Sequence, residues 1–337
     1  MKSSTIASAF VRNMLEGAIA KGHNVDHVLA ENGISPDILL EDKSRVTFDQ
    51  LARLSRSLMR LLDDESYGLT DKPQRKNTFK LICYSAINAE TVGEALKLFV
   101  EFLDVVESSL GFELVPHNEQ LTCRLKRHPE SKIKNHYAID HLMLVLHRTL
   151  CWMANTRIPI LRVNLDYPPP AYRDEYRYIF YDAPIFFDQK HCSMTFNQKA
   201  MNLLNVRDKT QLVEFLKLAP LTLLSQTFKT DDLSSQLRNW LEKQITKHQV
   251  APDIDAAAAH FRLHPQTMRR QLKKEGTSYQ DIKTETRRDL AINLINHQKH
   301  SIESIAFQLN FSEPSAFIRA FKGWTGLTPL AYRKLSC

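Results

Sequence analysis

One pattern occurs twice in the last third of the chain, and it limits the possible folds more than any other feature. Residues 254–275 and 301–323 each contain a short helix pattern with small residues, a tight turn, an apolar anchor and a second helix pattern. In both second helices, large apolar residues recur at i and i+4: Met268, Leu272, Phe317 and Phe321. This spacing buries one stripe of a helix and leaves the opposite face exposed. The pattern predicts two helix-turn-helix units.

The exposed faces of the two second helices carry residue types that contact DNA. Arginine and glutamine near the start of such a helix read base edges in a major groove, and lysine contacts phosphates. We expect DNA contacts from these residues: Pro265, Gln266, Thr267, Arg269, Arg270, Lys273, Pro314, Ser315, Ile318, Arg319 and Lys322. One such unit alone is more often an ordinary helical hairpin with a solvated face, but two copies in one chain favour DNA binding.

The spacing of the two units suits the geometry of DNA. Their second helices are predicted to start at Pro265 and Glu313, with a helix over Tyr279–Asn296 between them. The residues of that helix span about 27 Å at 1.5 Å per residue. One turn of DNA is about 34 Å. With its end loops, a spacer of this length is compatible with two helices that read adjacent segments.

Formal charge separates the same region from the rest of the chain. Residues 255–337 contain 13 Lys and Arg against 7 Asp and Glu, a net charge of +6, whereas the whole chain carries +7. A nearly neutral large part followed by a small basic part predicts a sensing or docking domain joined to a domain that binds a polyanion. We place the first domain at 1–220, a joint at 221–233 and the DNA-binding domain at 234–337.

Residue patterns predict different structure on the two sides of this joint. Residues 6–62 show helical spacing, residues 112–125 alternate around a turn as a hairpin does, and further strands are predicted at 160–165, 185–187 and 193–196. Beyond the joint, helix patterns alone remain. The expected fold class is an α+β N-terminal domain followed by an all-α C-terminal domain, in which two helix-turn-helix units are joined by a long helix.

Several kinds of chemistry are excluded by the sequence. The nine glycines are spaced so that neither GxGxxG nor GxxxxGK[ST] occurs, which excludes the phosphate cradles of dinucleotide-binding folds and P-loop enzymes. The five cysteines are scattered and never form CxxC, as in a cytosolic protein with reduced thiols. His23 and His27 lack an evident third metal ligand, and neither GxSxG nor HExxH occurs. We expect no enzyme activity, cofactor, metal or membrane span, and a cytoplasmic location.

Two stretches at the helix-turn-helix units resemble the AraC/XylS family of bacterial transcription regulators. Residues 269–279 are similar to the family's first-unit signature, and residues 311–333 are similar to its second-unit signature nearly throughout. The part of the chain before about position 210 resembles the "arabinose-binding" type of N-terminal domain in the ornithine-utilisation-regulator branch, through residues 25–40, 91–99 and 181–204. The resemblance implies a ligand-responsive regulator. It does not imply that arabinose is the ligand.

Three residues depart from the family pattern at the turns. Asn310 stands where the second unit usually has Gly, and Arg262 holds the equivalent position in the first unit. Left-handed backbone conformations are predicted at both positions, and Asn tolerates this conformation better than Arg does. His264 and Ser312 are predicted to cap the second helices, although His is a poorer cap than the usual Ser.

These features together predict a sequence-specific DNA-binding transcription regulator, namely an effector-responsive activator that reads two adjacent major-groove segments. Its expected partners are double-stranded DNA, an unidentified small-molecule effector, a second copy in a homodimer, and RNA polymerase as the family resemblance implies. The alternative is a sensor or interaction protein whose helix pairs bind another protein, with DNA binding weak or lost. Leu221, Leu223 and Leu224 near the joint are predicted to couple the two domains.

Overall fold

The computed structural model describes residues 5–128, 131–225 and 232–335. Within it the chain divides into two compact units. The N-terminal unit comprises Ala9–Val28 and Leu51–Lys229, and the C-terminal unit comprises Met1–Ser8, Leu29–Gln50 and Thr230–Cys337.

This division differs in one respect from the single boundary predicted at the joint. Residues 1–8 and 29–50 group with the C-terminal helices and not with the rest of the predicted first domain. The joint begins with a short helix, Leu221–Leu224, in which Leu223 is buried. Residues 226–231 of the predicted joint lie outside the described residues.

The helices before residue 226 are α1 (Ala9–Ala20), α2 (Val25–Glu31), α3 (Phe48–Leu62), α4 (Thr78–Ala86), α5 (Val92–Val105), α6 (Tyr137–Ala154), α7 (Tyr176–Phe180), α8 (Lys209–Leu218) and α9 (Leu221–Leu224). Short 3₁₀ helices lie at Pro36–Leu40, Arg173–Glu175 and Gln198–Asn202. The strands are β1 (Thr5–Ala7), β2 (Arg45–Thr47), β3 (Leu110–His117), β4 (Gln120–Arg127), β5 (Ile160–Asn164), β6 (Ile185–Phe186) and β7 (Ser193–Asn197).

The N-terminal unit is built on one five-stranded sheet with the strand order β3-β4-β7-β5-β6. β3 and β4 form the predicted hairpin, with His117 opposite Gln120 at its turn. β5, β6 and β7 confirm the other three predicted strands. Neighbouring strands run antiparallel except for β5 and β6, which are parallel. Helix α6 contributes most to the core because 14 of its 18 residues are buried.

The structure corrects the prediction that Ile6 and Val46 begin helical segments, since both residues lie in strands. β1 pairs antiparallel with β2, and Ile6 lies opposite Val46. Both residues show helical spacing with the residues that follow them, so the local sequence favours a helix. The pairing partner that decides their conformation is separated from them in the chain by α1 and α2, and no local pattern indicates it.

The C-terminal unit takes seven helices from residues 232–335. They are α10 (Leu233–His248), α11 (Ile254–His260), α12 (Pro265–Lys274), α13 (Tyr279–Asn296), α14 (Ile302–Gln308), α15 (Pro314–Thr325) and α16 (Pro329–Leu335). The prediction that the described chain beyond the joint is helical is confirmed, and α13 has the predicted bounds. In the described parts of the chain, no helix combines the length and apolar character needed to cross a membrane.

Candidate nucleic-acid interface

The first helix-turn-helix unit consists of α11 and α12. The Asp253 side chain caps α11 by accepting a hydrogen bond from the backbone N–H of Ala256. The predicted cap at His264 is confirmed, since its Nδ1 atom accepts from the backbone N–H of Gln266 at 3.3 Å. Pro265 then occupies the first helical position, where the lack of an N–H costs no hydrogen bond.

The buried face of this unit packs into a mainly aliphatic cluster. Met268 and Leu272 are fully buried on α12, as the i, i+4 spacing predicts. They pack with buried residues of α10, α11 and α13: Leu233, Leu237, Leu241, Ala257, Ala258, Tyr279 and Ile282. Burial of one stripe fixes which face of α12 is exposed to solvent.

The second unit consists of α14 and α15, and its core is aromatic. Phe317 and Phe321 are fully buried, with their ring centroids 5.7 Å apart. Phe311, in the turn before α15, lies 5.4 Å from Phe317 between ring centroids. Phe321 also makes an edge contact with Tyr332 of α16, at 5.4 Å and 90°. The two units therefore have the same plan but different core chemistry.

The structure corrects the predicted start of α15, the second helix of this unit. We call α12 and α15 the reading helices, because they are the helices predicted to read DNA. α15 begins at Pro314, and Glu313, not Ser312, is its N-cap residue, without a side-chain cap hydrogen bond. The reason is Pro314, because proline favours the first helical position and keeps the preceding residue extended. Glu313 is indeed extended, with φ −148° and ψ 148°.

The turns of both units contain the left-handed residue that the sequence predicts. Arg262 has φ 55° and Asn310 has φ 59°. This conformation costs an ordinary L-residue about 1–2 kcal/mol, whereas Asn adopts it more readily. The turn of the first unit therefore contains more backbone strain than the turn of the second.

The predicted contact residues occupy the face of each helix opposite its buried pair. Eight are exposed: Gln266, Arg269, Arg270, Lys273, Ser315, Ile318, Arg319 and Lys322. Three at or near the helix starts are half-buried: Pro265, Thr267 and Pro314. Each helix therefore presents one polar surface with cationic side chains, which is what a major groove requires of a reading helix.

Helix α13 joins the two helix-turn-helix units through polar contacts that the sequence analysis did not predict. The ammonium group of Lys283 donates to the carbonyl oxygens of Ala251 and Pro252, at 2.8 and 2.7 Å, just before α11. One helical turn later, Arg287 donates to the carbonyl of Asn310 at 2.8 Å, in the turn of the second unit. Burial lowers the pKa of both cations. The i, i+4 spacing of these two cations on α13 is the sequence feature that could have indicated their contacts.

Comparison with known proteins agrees with this arrangement. The model of the "Arabinose-binding domain of AraC transcription regulator, N-term" matches residues 22–204, more than half of the chain. The chain belongs to the AraC family of transcription regulators. A helix-turn-helix domain model matches residues 257–335, which cover both units of the regulator. The protein is therefore a DNA-binding transcription regulator, and the alternative of a protein-binding module is not favoured.

Individual relatives of this AraC-family regulator differ in how much of it they cover. The Ornithine utilization regulator of Pseudomonas aeruginosa is 25% identical over 306 residues, which are 89% of this chain and 88% of that protein. The Porin thermoregulatory protein EnvY of Escherichia coli is 37% identical over 80 residues, 24% of this chain and 32% of that protein. The crystal structure of the transcriptional regulator CdpR from P. aeruginosa is 19% identical, with a TM-score of 0.31, over 77% of this chain and 82% of that one.

The second reading helix of the regulator contains its own acidic partner. The Glu313 carboxylate accepts from the Ser315 hydroxyl at 2.5 Å and lies 3.4 Å from the guanidinium of Arg319. The hydroxyl of Ser315 and the charge of Arg319 hold the pKa of Glu313 below its usual range. The guanidinium of Arg319 on this exposed face therefore already has a carboxylate partner.

Residues near the N terminus pack within the C-terminal unit, against the helices around the second helix-turn-helix. The Thr5 hydroxyl donates to buried Asp289 of α13 at 2.6 Å and accepts from the Nε atom of Arg45 at 2.7 Å. The carbonyl of Arg45 in turn accepts from the buried hydroxyl of Tyr332. Because Tyr332 packs on Phe321, a chain of contacts runs from the spacer helix through β1 and β2 to the reading helix α15. Its members lie up to 287 residues apart in sequence, and sequence reasoning missed it.

Proposed function

We propose that this regulator is an effector-responsive activator that reads two neighbouring major-groove segments, one with α12 and one with α15. The observation that carries the proposal is the pair of exposed cationic faces, each fixed by a buried i, i+4 pair on the opposite side of its helix. Contacts from α13 to the segment before α11 and to the turn before α15 support a fixed spacing between the two reading helices.

The proposed site has a defined architecture. The 18 residues of α13 span about 27 Å, so two boxes about one turn of DNA apart, ~34 Å, are within reach once the end loops are included. Both reading helices lie in one chain and are related by repetition, not by a two-fold axis. The two boxes are therefore read in the same direction and are not palindromic.

Selection of bound sequences from random duplex DNA with the full-length protein tests this architecture. We expect two short boxes about ten base pairs apart on one face of the duplex. Recovery of a single box, or of inverted boxes contacted by one monomer, would contradict the two-helix reading. Recovery of no sequence preference would contradict specific recognition altogether.

Salt dependence tests which residues neutralise phosphates. We expect Lys273→Ala and Lys322→Ala each to weaken binding to all sequences similarly and to flatten the slope of log affinity against log salt by about one. Lys190→Ala is the matched control, because Lys190 is exposed in the N-terminal unit, far in sequence from either reading helix. Equal slopes for all three variants would exclude Lys273 and Lys322 from the phosphate contacts.

The remaining partners are part of the same proposal. The match of residues 22–204 to an arabinose-binding domain supports effector sensing by the first domain, which would act on the DNA-binding domain through binding and not catalysis. The other proposed partners are a second copy of the chain and RNA polymerase.

An effector shifts such a system by its differential affinity for active and inactive states, typically about 1–3 kcal/mol of coupling. Linkage then requires that operator DNA tighten effector binding by the same factor, and equal effector affinity with and without operator would contradict coupling.

A further inference from the structure

A cavity of about 360 Å³ lies within the N-terminal unit. Its wall comes from α3, α4, α5, α6, α8 and α9, from the loop between α3 and α4, and from the start of β3. The apolar part of the wall includes Met59, Phe99, Leu110, Leu142, Val145 and Leu223. A volume in this range and a mainly apolar wall are typical of sites for small organic ligands.

Four cationic side chains also line this cavity, namely Arg56, Arg60, Lys76 and Lys80. In the described parts of the chain none of the four forms an ion pair. Arg56 is half-buried, and its Nη1 atom donates to the carbonyl of Ala219 at 3.3 Å, which leaves its other nitrogens for a ligand. The other three side chains are exposed. The side chains that line the cavity therefore include four cations and one carboxylate, that of Glu65.

The acidic residue of the cavity is Glu65, and it has backbone partners already. Its two carboxylate oxygens accept from the backbone N–H groups of Asn77 at 2.7 Å and Phe79 at 2.8 Å. These bonds hold the segment that carries Lys76 and leads into α4. Burial raises the pKa of Glu65 to about 7, so its negative charge is only partly present at neutral pH. Burial lowers the pKa of His141 to about 4, which makes that cavity residue neutral.

We propose that this cavity binds a small organic anion with an apolar body, its charged group on Arg56 and its body against Phe99 and Leu142. A guanidinium binds carboxylates and phosphates well because its planar donors match two oxygens at once. A cationic ligand is disfavoured, since four like charges surround the site and the carboxylate of Glu65 is occupied. The inference rests on the proposed function in one respect, that this anion is the effector.

The cavity wall includes the segment that leads toward the joint. Ala219, Pro220 and Leu223 line it, and Leu223 is one of the leucines predicted to couple the domains. Arg56 contacts both this segment, through Ala219, and the proposed ligand position. An anion on the remaining nitrogens of Arg56 would therefore lie beside Ala219 and pack against α9, which would give the ligand a differential contact if α9 changes its arrangement.

Isothermal titration of the full-length protein with three naphthalene probes tests the binding site. The probes are 2-naphthoate, 2-naphthylmethanol and 2-naphthylmethylammonium, which share one apolar body and differ in charge. We expect naphthoate to bind at least tenfold more tightly than the other two. Equal binding of all three would show an apolar cavity without anion selectivity, and preference for the ammonium probe would show that Glu65 is the anchor. Either result, or no binding of any probe, overturns the proposal.

Variants of α3 identify the anchor. Arg56→Gln should weaken naphthoate binding by at least tenfold, and Arg56→Lys should restore part of the affinity. Arg53→Gln is the matched control, because Arg53 lies one turn earlier on α3 and does not line the cavity. Thermal unfolding of each variant checks that the fold is retained. If Arg56→Gln and Arg53→Gln bind naphthoate equally, Arg56 is not the anchor and the proposal is wrong.

Measurement of DNA binding separates this inference from the proposed function. If naphthoate binds through Arg56 but leaves operator affinity unchanged, the anion site stands and its role as the effector site fails. If operator affinity responds to other metabolites while naphthoate does not bind, the proposed regulation stands and the anion site fails.

Discussion

The two helix-turn-helix units share one plan, but they differ in what stabilises them. The first packs into a mainly aliphatic cluster formed by residues 233–282. The second packs through rings, and Tyr332 at the edge of its core donates to the carbonyl of Arg45 in β2. The comparison teaches that the first unit is locally self-contained, whereas the second depends on residues from the other end of the chain.

The exposed faces of α12 and α15 also differ in whether their arginines have partners within the protein. On α12, Arg269 and Arg270 are exposed and form no ion pair with any residue that the structure describes. On α15, Arg319 lies 3.4 Å from Glu313. The DNA contacts proposed for α12 therefore require no ion pair among the described residues to break, whereas the contact proposed for Arg319 on α15 requires its pair with Glu313 to open. The second unit is therefore the better candidate for regulation of DNA binding. Its core contacts β2 through Tyr332, and its Arg319 pairs with Glu313.

The largest effect should come from the two cores. Phe321→Ala should lower the free energy of unfolding by about 3–5 kcal/mol, and Met268→Ala by about 2–5 kcal/mol, because each leaves a cavity in a fully buried site. Denaturant unfolding of the full-length protein measures both. The comparison predicts a further difference in hydrogen exchange at Val46, which should rise in Phe321→Ala and not in Met268→Ala. Equal exchange in both variants would show that the second core is not coupled to β2.

A smaller effect is expected from the reading arginines. Arg270→Ala and Arg319→Ala should each weaken a selected operator by about 1–3 kcal/mol and relax preference at different base pairs. The loss should be smaller for Arg319, since its contact with Glu313 is given up on binding. Glu313→Gln, which removes that competition, should tighten binding, and competition binding against mutated operators measures all three. If the arginine variants keep full base preference, both residues contact phosphates and the assigned reading face is wrong.

The comparison of the two units also shows what the sequence can predict. Met268, Leu272, Phe317 and Phe321 were identifiable because helical periodicity is a local signal, and all four are buried. The left-handed turns were predictable from the family pattern, in which Gly usually holds the turn position of the second unit. The contact of Thr5 with buried Asp289 was not, since it joins residues 284 positions apart.

The cavity proposed as the effector site lies between these two cases, since only part of it could be predicted from the sequence. Leu223 near the joint was identifiable from its apolar neighbours, but the cavity it lines is assembled from helices and a loop that lie far apart in the sequence of the N-terminal unit. The position of Arg56 beside that cavity depends on these other elements, which also line it. No pattern within α3 itself distinguishes Arg56 from Arg53, which lies outside the cavity.

The N-terminal contact should contribute an intermediate effect. Thr5→Val keeps the shape of the side chain but removes the donor to Asp289 and the acceptor for Arg45, so we expect unfolding of the C-terminal unit to become easier by about 1–2 kcal/mol. Thr5→Ser retains the hydroxyl and is the matched control. Hydrogen exchange along α13 and α16 measures the change. An unchanged pattern in Thr5→Val would mean that β1 contributes nothing to the second unit.

The smallest effect concerns the two turns. Arg262→Gly should stabilise the first unit by about 0.5–1 kcal/mol, because relief of left-handed strain exceeds the entropy that glycine adds to the unfolded chain. Asn310→Gly should be neutral or slightly destabilising. Asn adopts this conformation readily, and the side-chain amide of Asn310 also donates to the carbonyl of Gln249 at 3.3 Å. Denaturant unfolding of both variants checks the sign of each change. Stabilisation by Asn310→Gly and not by Arg262→Gly would reverse the strain assignment, and the first unit would then be the less strained of the two.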